Sequence, residues 1–366
     1  MAGVDVPKLA AHRLVFVNGR FAPEHSSLDE LGQSVLVLPL LEAAGTHGEL
    51  VEKHLAKHAE MQDHAFTALN TAMSGDGVFV HVPDGAVVDL PIHVLNLTTC
   101  PDEPVMTNPR NLIVVGDGAS VTVIEDYVCA GDDVYFTNAV TEIVVGKEAN
   151  VTHYLLERES LRAFNVSSLH IHQSESSNFA SHSVLLGGAT VRNNVVPVLD
   201  GEHCHSLLNG LYLTSGKQHV DNHMRVVHAQ PNCDSRQFYR GVLDDASSAV
   251  FSGRIVVARD AQKTDAVQSN ANLLLTDSAR ANTHPQLEIY ADDVKCTHGA
   301  TIGELDDNAI FYLRARGISE AEARGMLIHA FAAESFERMH IEPIVELLEA
   351  ELFSRLPEGE AVKATS

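Results

Sequence analysis

Several residue types and patterns are missing from this sequence, and each absence excludes a class of function. The 366 residues include no tryptophan and few other aromatics, which disfavours a stacking surface for bases or sugars. Only 25 Lys and Arg stand against 49 Asp and Glu, giving a formal charge of -24. A field of that sign repels nucleic-acid backbones and anionic membranes. No apolar run reaches the roughly 18 residues of a membrane span. We therefore expect neither a nucleic-acid partner nor a membrane partner.

Cysteine is also scarce. There are five cysteines, scattered and odd in number, and none forms a C-x-x-C pair. This usage indicates a reducing compartment, and it provides no zinc ribbon and no local cluster-binding loop. Because the first residues lack a basic stretch leading into an apolar one, we expect a cytoplasmic protein. The cysteines are Cys100, Cys129, Cys204, Cys233 and Cys296.

The period of the apolar residues divides the chain into regions. In residues 1–75 we predict a short strand and turn at LVFVNGRF (14–21) and one or two amphipathic helices over 48–73. Residues 76–304 contain short β-branched runs separated by turn residues, without a long helical pattern. Since parallel strands of a doubly wound sheet need intervening helices, that fold is excluded.

The end of the chain is predicted to be helical. Residues 305–357 form a C-terminal helical domain in this interpretation, and residues 358–366 form a disordered tail. Ser319 and Glu322 make an S-x-x-E capping box, which marks a helix start. The apolar faces of such helices must pack on the β-rich core or on a partner. The predicted helices span 308–316, 320–339 and 343–356.

A weak repeat runs through the β-rich region. A turn residue, then Ala, then a β-branched or similar residue recurs, with three gaps of about 30 residues, a period typical of stacked coils or blades. Stacking suits a chain with so many short strands because it leaves few exposed edges. We therefore predict a right-handed parallel β-helix, while a sandwich or a propeller also fits the strand density. The repeated alanines are Ala86, Ala119, Ala149, Ala246 and Ala279.

Two glycine-containing segments resemble nucleotide-binding motifs but are incomplete. GDGASV at Gly116 lacks the third glycine of a dinucleotide fingerprint and precedes a strand, so we interpret it as a turn. GLYLTSGK (210–217) has five residues between its glycines instead of four, and Gln218 stands where Ser or Thr should bind magnesium. If ATP matters to the function, another subunit must bring the ATPase.

Histidine is abundant, with 21 residues. His170 and His172 lie two apart on a predicted strand, as do His203 and His205, so each pair shares one face. The geometry allows a metal site, but no carboxylate or thiol at a suitable spacing completes the set. We interpret both pairs as solvated positions on an outer β face.

Two alternatives come from other functional classes. A carbohydrate-active β-helix enzyme needs two carboxylates facing each other across a cleft. The candidates sit in turns, where Asp usually accepts from backbone N–H groups, so we expect no enzymatic activity. A free-standing metal-binding or interaction protein is the second alternative. The candidate carboxylates are Asp244, Asp245, Asp265 and Asp277.

Cys296 and His298 form the strongest candidate pair. They lie two apart at the end of the last predicted strand (286–291), on one face, directly before Gly299 and the helical region. A thiolate and an imidazole are suitable ligands for iron. A structural corner, with a buried Cys and a His bonded to backbone, fits the same residues. The residues alone leave both interpretations open.

Residues 268–334, which contain DDVKCTHGAT, closely resemble the SufD subunits of the Suf iron–sulfur cluster assembly system, in the SufB/SufD family. Residues 210–266 match the same family, and LVFVNGRF matches more loosely, so that the similarity covers about 14–340. The resemblance implies an N-terminal helical region, a right-handed parallel β-helix and a C-terminal helical domain.

The resemblance also implies partners. SufB pairs with SufD through the β-helix cores, and the ATPase SufC docks on the C-terminal helices, here from Asp306. A transient iron–sulfur cluster forms at the SufB–SufD interface on a Cys of SufB and a His of SufD. That His matches His298, and Cys296 matches the accompanying cysteine. The resemblance implies that ATP is bound only by SufC and that reduced flavin can be present in the complex. A cysteine desulfurase system is an indirect partner. The chain alone could form a homodimer.

SufB is the alternative within the family. It has a longer N-terminal part with a multi-cysteine motif and an acidic residue after the matching His, whereas Gly299 follows His298 here. These departures favour a SufD-like, non-catalytic scaffold. In the mechanism we expect, ATP binding by SufC pulls on the C-terminal helices and shifts the SufB–SufD interface, which exposes His298.

Overall fold

Successive strands lie alternately in two parallel sheets, so the backbone winds into a β-solenoid of about eight turns. The computed structural model describes residue 4 and residues 6–28, 31–32, 34–59, 64–99 and 103–355. The strands are β1 (His12–Val17), β2 (Arg20–Phe21), β3 (Leu36–Pro39), β4 (Val78–Val82), β5 (Ile92–Thr98), β6 (Met106–Thr107), β7 (Arg110–Val115), β8 (Ser120–Cys129), β9 (Phe136–Val145), β10 (Asn150–Arg158), β11 (Phe164–Gln173), β12 (Asn178–Leu185), β13 (Thr190–Leu199), β14 (His205–Thr214), β15 (His219–His228), β16 (Asp234–Leu243), β17 (Ser248–Val257), β18 (Asp265–Leu274), β19 (Arg280–Ile289) and β20 (Lys295–Gly303). The helices are α1 (Leu40–Thr46), α2 (Gly48–His54), α3 (Ala65–Met73), α4 (Asp307–Arg314), α5 (Glu320–Phe336) and α6 (Glu342–Arg355).

The strand order of each sheet follows the winding. Sheet A runs β2-β1-β5-β8-β10-β12-β14-β16-β18-β20, and sheet B runs β3-β4-β7-β9-β11-β13-β15-β17-β19. Ser120 of β8 lies opposite Asn150 of β10, which lies opposite Asn178 of β12. One coil therefore takes about 30 residues, the period of the sequence repeat. The predicted parallel β-helix is confirmed.

The corners that lead into sheet A explain the repeat. At six of them, those before β8, β10, β12, β14, β16 and β18, a small residue is buried directly before the strand, as Ala119 is before β8 and Ala149 before β10. The residue before it has a positive φ, which glycine and asparagine tolerate best. Ala246 does not fit this pattern: it is exposed, and Ser247 takes the buried position. The positive-φ residues are Gly118, Glu148, Ser176, His203, Asn232 and Lys263.

The two ends of the solenoid differ. At the first end, β2 pairs antiparallel with β1 and β3 pairs antiparallel with β4. The strand and turn predicted at 14–21 are thereby confirmed, and they belong to sheet A. At the other end, β19 and β20 are the last strands of their sheets within the described chain. That end is not closed by any described strand.

The N-terminal helices cover the outer face of sheet B. Leu40 and Ala43 of α1 and Val51 of α2 form a buried cluster with Phe79 and Leu112 of the sheet. The predicted helical segment 48–73 is confirmed as α2 and α3, with 60–63 outside the described residues. These helices gain their stability from packing, since each is shorter than an isolated helix in water requires.

The C-terminal helices cover the outer face of sheet A. Ile328 and Leu348 pack with Tyr154 and Leu211 of the sheet in one buried cluster. The predicted capping box at the start of α5 is confirmed. The predicted tail 358–366 lies outside the described residues. Among the helices that the structure describes, none is both long and apolar enough to span a membrane.

The β-branched runs of the sequence predict most of the strands, but they do not predict β3, β6, β13, β16 or β20. Strand β16 reads DSRQFYRGVL, and four of its first seven residues are charged or amide-bearing, which masks the β-branched signal. The two incomplete nucleotide motifs are strand and turn: Gly118 lies in the turn between β7 and β8, and 210–217 runs along β14 into a turn before β15.

Candidate functional site

Cys296 and His298 lie on β20, the last strand of sheet A. In the ladder with β18, Cys296 stands opposite Ala266 and His298 stands opposite Gln268. Ala266 and Gln268 are buried, and residues at the same register of parallel strands point to the same side of the sheet. Cys296 and His298 therefore occupy inward positions in the final coil.

This placement corrects one prediction. We expected both residues at the end of the strand predicted at 286–291, whereas that strand is part of β19 in sheet B, and β20 is a separate strand of the opposite sheet. The chain crosses between the sheets at a corner that contains Asp292 and Asp293. Strand β20 carries few large apolar side chains because no described coil stacks over it, so its β signal is weak.

The two side chains differ in exposure. Cys296 is partly buried and packs against the apolar interior, whereas His298 is exposed. Burial raises the pKa of the Cys296 thiol and Asp265 raises it further, while the backbone N–H of Ala266 acts in the opposite direction. Iron binding through this thiol must therefore displace a tightly held proton. His298 is the more accessible of the two side chains.

Cys296 and His298, considered as candidate ligands, do not make a complete set. Two residues apart on one strand, Cys296 and His298 have Cα atoms roughly 6.6 Å apart. Within the described ranges, no three His, Cys, Asp or Glu side chains are grouped closely enough to hold a metal ion. Because iron in a sulfur cluster needs several protein ligands, these two residues can supply only part of a site.

The surroundings of the pair form an open sheet edge. Strands β19 and β20 each have a neighbour on one side only within the described chain, so a row of backbone N–H and C=O groups faces outward. Large apolar side chains at this end are exposed, among them Tyr290 and Ile302. An exposed edge of this kind is a template for pairing with another chain.

Polar side chains line the solenoid interior beneath His298. Gln268 Nε2 donates to Gln237 Oε1 at 2.9 Å. Gln268 Oε1 and Gln237 Nε2 are buried and have no hydrogen-bond partner among the described residues. Gly253 leaves room for this amide, since a Cβ there would lie 2.2 Å from Gln268 Nε2. Our sequence reasoning missed these glutamines; the signal available was a polar residue at alternate positions of QSNAN.

The histidine interpretation needs two corrections. His170 is 3% exposed and lies under the N-terminal helical segment, so it is not a solvated position. His203 has φ +59° and lies in a turn rather than on a strand, because the corner requires the left-handed backbone conformation at this position. His172 is half-buried and contacts Asp200 at 3.0 Å. His205 opens β14 and pairs with an aspartate of the next coil.

The turn carboxylates are engaged locally. Asp244 Oδ1 accepts from the N–H of Asp245 at 2.8 Å, and Asp245 Oδ2 accepts from the N–H of Gly216 at 2.9 Å. The predicted turn-capping role is confirmed for these two. Asp265 instead forms an ion pair with Arg236 at 3.0 Å.

A second exposed surface lies on the C-terminal helices. Phe311 and Tyr312 of α4 are 74% and 58% exposed. The neighbouring helix α5 is fixed to sheet A, because Asn209 Nδ2 donates to the carbonyl of Ser335 at 2.9 Å. Large exposed aromatic side chains on a firmly attached helical unit are typical of interaction surfaces, which makes this surface a candidate for one.

Comparison with known families and proteins agrees with this architecture. One family model, described as SufBD protein N-terminal region, matches residues 3–94. A second, described as SUF system FeS cluster assembly, SufBD core domain, matches residues 97–331. The core match includes the whole open end of the solenoid, with β19 and β20.

Individual relatives align over nearly the whole chain. An iron–sulfur cluster assembly SufBD family protein of Synechocystis sp. is 35% identical over 342 residues, which cover 91% of this chain and 75% of that protein. The iron–sulfur cluster assembly protein SufD of Escherichia coli is 34% identical over 349 residues, covering 95% and 80%. SufD of Bacillus subtilis is 27% identical over 343 residues, covering 92% and 78%. The chain belongs to the SufBD family of the SUF iron–sulfur cluster assembly system.

Proposed function

We propose that this chain is a non-catalytic scaffold subunit for iron–sulfur cluster assembly, which supplies His298 to a nascent cluster shared with a SufB-like subunit. The observation that carries the proposal is the position of His298, inward in the final coil and exposed only because the described chain stacks nothing over it. A subunit that stacks on this end would supply the remaining ligands of the cluster.

The backbone supports stacking of a second solenoid. Strand β19 offers a ten-residue edge and β20 a nine-residue edge. A related subunit with the same coil dimensions could extend both ladders at once, with main-chain hydrogen bonds supplying affinity. The exposed side chains of Tyr290 and Ile302 would become buried. A second copy of this chain is the alternative occupant, which would give the homodimer.

The chemistry of the pair suits a cluster that is held and then released. Imidazole nitrogen and thiolate sulfur both bind iron. His298 binds without first being uncovered, whereas burial raises the pKa of Cys296, so we assign Cys296 the secondary role. The remaining ligands, including a cysteine, come from the SufB-like subunit. A divided ligand set releases its cargo when the subunits move apart.

We further propose that the C-terminal helices dock a SufC-type ATPase. The exposed Phe311 and Tyr312 on α4 are typical anchors of an interface. Asn209 on β14 and Arg240 on β16 bind α5 through Ser335 and Glu334, so a pull on the helices reaches sheet A, whose last strand carries His298. ATP therefore acts through the partner alone. The proposal has three further parts, which rest on the family alone. Reduced flavin is bound in the complex, a cysteine desulfurase takes part without contacting this chain directly, and the protein is cytoplasmic.

The ligand role is tested in the reconstituted complex. The chain is co-expressed with SufB and SufC and purified without oxygen, and the visible absorbance of the cluster is measured per complex. We expect His298→Ala to lose most of that absorbance while the three subunits still co-purify. The matched control is His284→Ala, which removes an exposed histidine at an outward position of β19. Full absorbance with His298→Ala, or an equal loss in both variants, would contradict the assignment.

A further inference from the structure

Two of the scattered cysteines meet in the fold, at the corner of the solenoid that leads into sheet A. Cys204 lies directly before β14, and Cys233 lies directly before β16, one coil further along the chain. Strands β14 and β16 pair from His205 and Asp234 onward, so the two cysteines occupy the same position of neighbouring coils. The N–H of Asp234 donates to the carbonyl of Cys204 at 3.0 Å, which fixes this alignment.

The distances bring both thiols to one point. Cys204 Sγ lies 3.2 Å from the carbonyl oxygen of Gly201, and Cys233 Sγ lies 3.1 Å from the same oxygen. The two side chains are also within hydrogen-bonding distance of each other. Neighbouring strands of a sheet are roughly 4.8 Å apart, and disulfides join Cα atoms about 4.4–6.8 Å apart. The backbone spacing at this corner therefore suits a disulfide.

The corner position itself does not require sulfur. Its equivalents in three earlier coils are Ala119, Ala149 and Ser177, all buried, so a methyl group or a hydroxyl fills the same space. Both Cys204 and Cys233 are free cysteines in this structure. Two thiols in contact, at a position where packing does not need them, have the arrangement of a reduced disulfide.

The pair is buried but shallow. Cys204 is 0% exposed and Cys233 is 1% exposed. Nevertheless, His203 and His205 on either side of Cys204 are exposed, as is Asn232 directly before Cys233. The thiols thus lie beneath surface turns of the chain. A molecule as small as hydrogen peroxide needs only a local opening of these turns to reach them.

The two thiols are not equivalent. The Cys233 thiol donates toward the Cys204 sulfur, and this contact lowers the pKa of Cys204 against the opposing effect of burial; the hydroxyl of Ser177 acts in the same direction as the thiol. The contact with Cys204, together with burial, raises the pKa of Cys233. Since the thiolate is the nucleophile in cysteine chemistry, Cys204 reacts first and Cys233 reacts second.

We propose that Cys204 and Cys233 form a redox site, in which a peroxide converts the two thiols into a disulfide between neighbouring coils. The Cys204 thiolate attacks one oxygen of hydrogen peroxide, the O–O bond breaks and hydroxide leaves, so that Cys204 becomes a sulfenic acid. The Cys233 sulfur then attacks the Cys204 sulfur, the S–S bond forms, and the S–O bond breaks to release the second hydroxide. The two thiol protons convert both hydroxide ions to water. The two sulfurs lose two electrons, and the peroxide gains them.

The disulfide is a reversible modification. A dithiol reductant restores both thiols by thiol–disulfide exchange. In a reducing compartment, protein disulfides are typically transient and redox-sensing, which agrees with the low cysteine content of this chain. The site is separate from the proposed cluster ligand, because Cys296 and His298 lie on β20.

The test treats the full, reduced chain with hydrogen peroxide under native conditions and maps the product by mass spectrometry. Trypsin cleaves after Lys217 and Arg225, so Cys204 and Cys233 fall on separate peptides. We expect residues 193–217 joined to residues 226–236, with a mass about 2 Da below that of the two reduced peptides together. Dithiothreitol should separate them. Oxidation of other cysteines without this linked product would overturn the proposal.

Single variants test the order of the two steps. Cys233→Ser should stop at the sulfenic acid of Cys204, which dimedone labels, whereas Cys204→Ser should leave Cys233 largely unlabelled. Both variants should fold, since Ser177 occupies the equivalent corner of an earlier coil. The matched control is Cys129→Ser, which removes a partly buried cysteine and should keep the full yield of linked peptides. Equal labelling of the two single variants, or loss of the linked peptides in Cys129→Ser, would contradict the assignment.

Urea denaturation measures the consequence for the fold. A disulfide that closes a loop of about 30 residues restricts the unfolded chain, so peroxide should raise the denaturation midpoint of the unsubstituted chain. The double variant Cys204→Ser/Cys233→Ser should have the same midpoint with and without peroxide. An equal rise in the double variant would show that oxidation acts elsewhere, and the proposal would fail.

Discussion

The carboxylate of Glu142, on β9, holds the N-terminal helical segment against sheet B. Its Oε1 accepts from the backbone N–H of Ala56 at 2.8 Å, and its Oε2 accepts from those of His58 and Ala59 at 2.9 and 3.0 Å. Arg110 forms an ion pair with the same carboxylate, and both charged side chains are buried. One side chain thus satisfies three backbone donors and one buried cation, so its removal should detach this segment.

We expect Glu142→Gln to lower the free energy of unfolding by about 3–5 kcal/mol, because it leaves the charge of Arg110 buried without a counter-charge. The double variant Glu142→Gln/Arg110→Met removes both charges and should recover part of that loss. The matched control is Glu175→Gln, whose exposed carboxylate pairs with Lys147 at 3.2 Å. Exposed pairs contribute about 0–1 kcal/mol.

Urea denaturation measures these differences, and hydrogen exchange of residues 55–59 localises them. Burial alone would raise the pKa of Glu142, but Arg110 and the backbone N–H groups of His58, Ala56 and Ala59 outweigh it and lower the pKa. The stabilisation is therefore present above the unfolded pKa of 4.5 and is lost as the pH falls below it. A loss no larger than that of Glu175→Gln, or one unchanged in acid, would refute the reasoning.

Two further predictions concern other parts of the chain. Phe311→Ala/Tyr312→Ala should reduce co-purification of a SufC-type ATPase about tenfold or more, while Leu161→Ala, which removes an apolar side chain that is 52% exposed on the solenoid, should not; equal retention by both would contradict the docking proposal. Burial, then Glu159, raises the pKa of Glu157 from 4.5 to about 8, so its contribution to stability falls as the pH rises between those values. Glu157→Gln should show a smaller fall in denaturation midpoints, and part of the fall should remain because burial also raises the pKa of the neighbouring Glu159; pH profiles parallel to that of the parent protein would speak against it.

The solenoid could be predicted from local sequence because every coil requires the same residue types at the same positions. A small residue must fill each buried corner and β-branched residues favour the strands, so Ala119 and Ala149 appear about 30 residues apart. Strand β13 escaped prediction because TVRNNVVPVL includes charged and amide side chains and a proline. In a parallel ladder such residues are tolerated, since Asn193 bonds Asn222 on the next strand at 3.3 Å.

The candidate sites differ in how far sequence could predict them. Cys296 and His298 are two residues apart, so their shared face follows from the strand period alone. A pocket on the outer face of sheet B joins His64 to Arg225 and Arg254, which are distant in the chain. No local sequence pattern predicts which outward-facing side chains of a solenoid will be contacted by a helix that packs on the outer face of the sheet. Long-range assembly of this kind emerges only from the fold.

The unequal ends of the solenoid also set how many subunits can join. A fibre of stacked solenoids requires a free ladder at both ends of every subunit, because each copy must both receive and extend the stack. Here the outermost described strands of the first end, β2 and β3, pair antiparallel with their neighbours and are only two and four residues long. They offer much shorter edges than the ten and nine residues of β19 and β20. Stacking at the long edges of β19 and β20 is therefore expected to join two subunits without extending into an open-ended aggregate.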